Sequence, residues 1–529
     1  MYHILELSGQ YSETGPQSGG VLSMLRSEKR FRFDHFFTRI EWLLKKKRVK
    51  TVVVSAATDF TTGNLSGIVS IREQLLRLKD AGKELVFFAQ EYGMQELYLA
   101  SVCSRRVIHP LAYLHFQGIS RSFRFYRKLM KKHDIEAEVI RIGRYKSAGD
   151  AFRVSELDEF NREQYEAIFK DLLAEYSRGV TRGYGKDEEK IDELMNGRIL
   201  TADEAVEEGW ADQQETLEGI RGGFRERKTR ELKLKKPRTS AGKGKKVAVL
   251  IFEGGIKDGH NDNNMMFGQM VGAEDFVPVI RKLEKDSSVK AVIFRINSGG
   301  GSAAASEDIV RELGRVRKKK PVIVSMSAVA GSGGYWIATE ADKVFAEATT
   351  VTGSIGVISL FFYARKFFDK WGITHSTIRE GEHADMGSML RRLSEKEVRI
   401  IKDGVTWIYG KFLEKVAHAR NMSTDAVHEL GEGHVFTGTR AKEIGLIDEV
   451  GGLNEAVEEV KKRLGTSRIR LRFLPQRKKS RLGKLLGGGE GKHSPYAEAA
   501  VSAVSLMHDV RELNGTTLAM MPRMDEWAE

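Results

Sequence analysis

A single cysteine, Cys103, stands among the 529 residues of the chain. It excludes an intramolecular disulfide framework and is compatible with a reducing compartment without requiring one. Long apolar runs are missing too. No stretch approaches the length of a membrane-spanning helix, and the opening "MYHILELSGQYSETG" lacks a basic segment followed by an apolar one. The expectation is therefore a soluble or peripheral protein, cytoplasmic or held at a membrane surface. The usual signatures of nucleic-acid recognition are also absent: no helix-turn-helix spacing, zinc motif or aromatic RNA-binding pattern accompanies the basic residues. A nucleic-acid partner is not expected.

What is present is a globular composition, 41% hydrophobic and 30% charged, with a formal net charge of +13. The length suggests two to four domains. Positive charge concentrates in "KKKR" from Lys45, in residues 225–246, in "RVRKKK" from Arg315 and in "RKKSRLGK" from Arg477. Such clusters are either solvated faces and linkers or a peripheral contact with an anionic membrane surface.

Residues 225–246 are polar, contain Pro237, Gly242 and Gly244, and read as a linker. Beyond them apolar strand candidates ("VAVLIF", "VKAVIFRIN", "PVIVSMSA") alternate with amphipathic helices, which indicates an α/β domain. The first half repeats the pattern. "VKTVVVSAATDF" at Val49 answers "VKAVIFRINSGG" at Val289, 240 residues on. "ELVFFAQEYGMQELYLAS" answers "PVIVSMSAVAGSGGYWIAT", and "IEAEVIRIGRYKS" answers "ITHSTIREGEHAD", both at an offset of 238. "GRILTADEAVEEGWAD" answers "GHVFTGTRAKEIGLID" at 236. The expected division is a first copy at 1–224, a basic linker at 225–246, a second copy at 247–465 and a tail at 466–529.

The copies differ where chemistry would sit. At an offset of 238, Ser332 of "AGSGGYW" falls on Met94, and Lys146 of "GRYKSAG" falls on Ala384. At 240, the "GGGS" of Gly299–Ser302 falls on "DFTT". Each copy holds what the other lacks. A serine attacks a carbonyl when a base takes its proton and donors receive the oxyanion. Glycines beside Ser332 allow close backbone approach, and the Gly-rich turn "NSGGGS" can bring a second donor. The alternative is a tight strand-to-helix turn with Ser332 as a cap. For the base, His375, His383, His418, His428 and His434 compete with Lys146, and the lysine can serve only if burial or positive neighbours keep it neutral.

The segments "RINSGGGSAAASE", "AGSGGYWIATEADKVFAEATTVTGSIGV", "RYKSAG" and "GHVFTGTRAKEIGLIDEVGG" resemble the signal peptide peptidase A (protease IV) family in its long, tandem form, over about Val49 to Gly452. The resemblance implies two tandem α/β domains like those of Clp protease and crotonase, and a Ser-Lys dyad that cleaves peptide bonds without cofactor or metal. By position it makes Ser332 the nucleophile, Lys146 the general base and Ser354 the residue that orients the lysine. Gly333 and Gly301 become oxyanion donors, with Gly300 shaping their loop. It further implies peptide substrates, chiefly signal-peptide remnants and other short apolar peptides, and a homo-oligomer, a tetramer in the long form. The chain departs from the family in carrying Gly299 where a proline is usual, and its opening residues lead us to expect no N-terminal membrane anchor. Two rival readings keep other chemistry: an α/β-hydrolase esterase with a Ser-His pair, and a noncatalytic scaffold that binds peptides or membranes.

Overall fold

The structure, a computed structural model, describes residues 1–15, 30–234, 240–264, 268–475 and 517–520. Apolar, β-branched runs bounded by turns form strands covered on both faces. Thr51–Ala56 and Val322–Gly331 are buried along their whole length, and Val289–Ser298 along nearly all of it. In the first copy Tyr2–Leu7, Thr51–Ala56, Glu84–Ala89, Arg105–Ile108 and Gln213–Gln214 form one parallel sheet in that order. In the second copy Lys245–Glu253, Val289–Ser298, Val322–Gly331, Lys343–Ala346 and Glu449–Val450 follow the same parallel order. The sequence repeat is thus a repeat of topology, two α/β units in tandem.

The copies share a core. One apolar cluster joins Phe37, Ile71 and Leu75 of the first copy to Val249, Ile293 and Phe473 of the second. Helix Leu65–Asp80, started by the Asn64 side chain accepting from Gly67 N–H, supplies part of that contact. A buried polar node crosses the same boundary. The Arg295 guanidinium donates to Glu13 at 3.1 Å, to Glu347 at 3.1 Å and to Ser70 at 3.0 Å, so its burial is compensated by partners from both copies.

A further sheet knits the halves together in the order Asp262–Asn264, Gly268–Gly272, Gly255–Lys257, Gly300–Ser302, Thr517–Met520, Val357–Tyr363, Glu136–Ile142. Its last pairing is antiparallel and unites the copies, from Val357 opposite Ile142 to Tyr363 opposite Glu136.

The segment read as a linker carries structure at its ends. Helix Leu217–Glu226 enters it, Glu231 bridges to Tyr2, and Ser240–Gly242 pairs with Ile469–Leu474. Lys235, Lys236 and Pro237 lie outside the described residues. Of the tail, Ile469–Leu474 is a strand of the second copy's main sheet beside Lys245–Glu253, because its alternate Ile469, Leu471 and Phe473 side chains are buried. The basic cluster from Arg477 and Gly487 to Gly489 lie outside the described residues. Among those described, no helix is long and apolar enough to cross a membrane.

Candidate active site

Strand Val322–Gly331 ends at Ser332, which turns the chain with φ 55° and ψ −117° into the short helix Gly333–Trp336. A non-glycine residue in that region is strained and persists only where its surroundings hold it. Ser332 N–H donates to the Gly353 carbonyl at 2.8 Å, and Ser332 is fully buried. Gly334 is required by packing, since a β-carbon there would run into the Ser298 carbonyl. The neighbouring turn places Gly300 at φ 98° and Gly301 at φ 154°, conformations suited to glycine. Gly301 lies opposite Ile256 on one side and Ala519 on the other. Gly299, at the family's proline position, is not among the glycines with positive φ.

The lysine arrives from the other copy. After strand Glu136–Ile142 the chain turns at Gly143, with φ 110°, and presents Lys146 to the second copy. Several contacts fix that loop. Tyr145 N–H donates to the Glu432 carbonyl at 2.9 Å, and the Tyr145 ring stacks on His434 with centroids 4.2 Å apart. Arg141 donates to the Lys146 carbonyl at 2.8 Å and pairs with buried Asp150 at 3.2 Å. Gln164 donates to the Tyr145 carbonyl at 3.2 Å and accepts from Val435 N–H at 3.3 Å.

Lys146 Nζ lies 2.6 Å from Ser332 Oγ, 3.1 Å from Ser354 Oγ and 3.0 Å from the Ser354 carbonyl oxygen. Ser354 points both oxygens at the amine because its backbone is left-handed, φ 53°, and its N–H is held by the His434 carbonyl at 2.7 Å. Lys146 is 1% exposed, and burial alone, with no carboxylate to offset it, holds its amine well below the ordinary lysine value. Three oxygens surround the amine, those of the Ser332 hydroxyl, the Ser354 hydroxyl and the Ser354 carbonyl.

The competing histidines have other neighbours, and His418 lies near the end of helix Glu395–Arg420. His383 faces Glu397 at 3.1 Å, His428 faces the Tyr409 hydroxyl at 2.9 Å, His375 lies against the Phe368 ring and His434 against Tyr145. The side-chain partner of Ser332 among the described residues is Lys146.

In the first copy the corresponding place is a cavity of about 330 Å³ lined by Thr62, Gly93, Met94, Gln95 and Glu96. Gln95 and Glu96, which stand where the second copy has Gly333 and Gly334, accept from Thr62 N–H at 2.8 Å and Gly93 N–H at 3.1 Å. Sequence reasoning missed these hydrogen bonds and also the Arg141–Asp150 and Gln164 braces. The repeat offset placed Gln95 and Glu96 at the glycine positions; the braces become visible only when helix Glu159–Tyr184 is folded against the lysine loop.

The family model for Peptidase family S49 matches residues 77–228 and again 314–467. The chain belongs to this peptidase family. It is similar to "Serine protease SPPA, chloroplastic" of Arabidopsis thaliana, 32% identical over 410 residues, covering 75% of this chain and 61% of that protein. To "Protease 4" of Haemophilus influenzae it is 29% identical over 425 residues, 76% of this chain and 68% of that one. To "Putative signal peptide peptidase SppA" of Enterococcus faecium it is 35% identical over 219 residues, 41% of this chain and 63% of that one. The two S49 matches fall one on each copy, in keeping with the tandem Clp-protease/crotonase-like arrangement.

Proposed function

We propose that the chain is a serine endopeptidase with a Ser-Lys dyad, acting on cleaved signal peptides and other short apolar peptides. The observation that carries this reading is the 2.6 Å approach of Lys146 Nζ to Ser332 Oγ inside a site that gives the amine no carboxylate partner. Membership of a peptidase family and the names of the relatives support the same class.

In this mechanism the neutral Lys146 amine accepts the Ser332 proton as Oγ bonds to the scissile carbonyl carbon. The oxyanion is received by the N–H groups of Gly333 and Gly301, on a loop shaped by Gly300. The Lys146 ammonium then gives its proton to the leaving amine as the C–N bond breaks. Lys146 then takes a proton from water as the water oxygen bonds to the acyl carbon, and gives that proton to Ser332 Oγ as the acyl–Oγ bond breaks. Ser354 holds the amine throughout. An extended substrate fits the slot between Gly300–Ser302 and Val357–Tyr363, where the chain's own strand Thr517–Met520 pairs antiparallel to both.

The division at 225–246, self-association into a homo-oligomer and a peripheral contact of the basic clusters with anionic membrane complete the proposal. Its test is a fluorophosphonate probe followed by intact-mass and peptide mapping. Label on Ser332, lost in Ser332→Ala, is expected. Ser332→Ala and Lys146→Ala should each abolish peptide hydrolysis, and the double variant should lose little more, because dyad members act as a unit. Retained hydrolysis in Lys146→Ala would overturn the lysine assignment.

A further inference from the structure

The first copy keeps a cavity where the second has its dyad, with the opposite charge preference. Met94, at the position of Ser332, cannot attack a carbonyl. Two backbone N–H groups of the corresponding turns are taken by side chains. Gln95 Oε1 accepts from Thr62 N–H at 2.8 Å, and Glu96 Oε2 accepts from Gly93 N–H at 3.1 Å. Thr62 and Gly93 are the counterparts of Ser302 and Gly331. A place that gathers donors for an oxyanion in one copy thus carries a carboxylate in the other.

The cavity measures about 330 Å³, at the lower end of the ~300–1,000 Å³ typical of ligand pockets. Its buried walls are apolar: Phe60, Leu65, Ile68 and Leu172 from the first copy, with Ala328 and Val351 from the second. Ala328 lies on the strand that ends at Ser332, and Val351 on the short strand that leads to Ser354. Ser66 and Thr349, which also line the cavity, share a hydrogen bond of 2.9 Å between the copies. The site is therefore built only when both copies are folded together. Exposed Thr58, Gln90 and Glu91 form its solvent side.

The charged groups on this cavity share one sign. Its lining holds two carboxylates, Glu91 and Glu96, with neither lysine nor arginine, in a chain of formal net charge +13. His115 is the remaining titratable group there. An ionised carboxylate offers about four acceptor positions, so Glu96 keeps capacity for a ligand donor after serving Gly93. A carboxylate or phosphate ligand would meet repulsion, whereas an ammonium carried on an apolar body satisfies both surfaces.

We propose that this cavity binds the amino-terminal end of an extended apolar peptide, with its ammonium on Glu96 and Glu91 and its apolar side chains against the walls. Signal peptides begin with a positively charged segment and continue into an apolar one, the order of charge and grease that the cavity fits. The first copy then recruits what the second copy cuts. The source of the peptide rests on the peptidase reading; the binding itself needs no dyad.

The probe is a short leucine-rich peptide with a free amino terminus and a dye at its carboxyl end, followed by fluorescence anisotropy on the full-length Ser332→Ala chain, which cannot turn it over. The N-acetylated analogue, identical but for the charge, should bind about tenfold more weakly, the scale of a hydrogen bond to a charged group. Glu96→Gln keeps an acceptor for Gly93 N–H and should erase the difference between the two peptides while circular dichroism is unchanged. A photoreactive leucine as the second residue of the free-amine peptide should cross-link to Met94 or Leu172. That map is made with Glu96 in place, so it stands even where the glutamine variant fails to fold. Equal binding of the two peptides by the Ser332→Ala chain, a difference that survives Glu96→Gln, or cross-links confined to the segments around Ser332 would overturn the site. Charge-dependent binding at the cavity by a chain whose parent cleaves no peptide would instead overturn the peptidase reading and leave this site standing.

Discussion

Gly433 packs against Lys146 so closely that a β-carbon on it would lie 2.5 Å from the Lys146 backbone nitrogen. Two copies of one domain meet at that point, and the absence of a side chain on one sets the position of the amine on the other. Gly433→Ala should lower kcat/KM by about a hundredfold, because a displacement near 1 Å at a reacting group costs on that order. Gly185→Ala is the control. It shares a left-handed backbone, φ 65°, but opens on empty space, so it should cost ~1–2 kcal/mol in denaturant titrations and leave kcat/KM intact.

The amine of Lys146 also ties activity and stability to pH. Burial depresses its affinity for a proton in the folded chain, while the unfolded chain binds that proton up to the ordinary value of 10.5. The unfolded state therefore holds more protons between the folded and unfolded values, and stability rises with pH across that window by up to ~1.4 kcal/mol per pH unit. Lys146→Met should be inactive yet show a flatter stability profile on the alkaline side. kcat/KM should rise with pH through an ionisation below that of a free lysine, and Lys146→Arg should be inactive because its guanidinium stays charged. An active arginine variant would end the general-base assignment.

A second pH dependence sits at the polar node between the copies. Burial raises the Glu347 carboxyl from 4.5 to about 7, partly offset by Arg295. Glu347 Oε1 accepts from Arg295 and Ser70, whereas Oε2 has no hydrogen-bond partner among the described residues. A carboxyl raised on folding contributes stability that is complete below 4.5 and is lost as pH rises through about 7. Glu347→Gln keeps an oxygen for Arg295 and cannot ionise, so thermal unfolding between pH 5 and 8 should vary less than in the parent. An unchanged profile would place the titration on another group of the node.

Much of this was legible in the chain. The tandem organisation followed from the offsets, and Met94 opposite Ser332 and Ala384 opposite Lys146 pointed to copies that each hold what the other lacks. The structure brings both Ser332 and Ser354 within hydrogen-bond distance of the Lys146 amine. The limits were physical. Local pattern cannot tell that Ile469–Leu474 returns to the main sheet, because six residues of alternating Arg and apolar type also read as an edge or a loop. Nor can it place Arg141, Asp150 and Gln164 under the lysine loop, since these polar residues become meaningful only through partners far along the chain.

The strand Thr517–Met520 leads to the last prediction. Its backbone lies opposite Gly300, Gly301 and Ser302 and opposite Ile358 and Ser359, so it takes both edges that an extended peptide would use. If substrates enter this slot, the strand competes with them as an intramolecular occupant, and its departure must precede binding. Proline removes an N–H from a ladder and disfavours a central strand. Ala519→Pro, opposite Gly301, should therefore lower KM for extended apolar peptides several-fold and leave kcat unchanged. A synthetic peptide of the same end sequence should inhibit that variant more strongly than the parent, whose slot is already filled. An unaltered KM, together with unaltered inhibition, would mean that peptides reach Ser332 by another path and that the slot belongs to the fold alone.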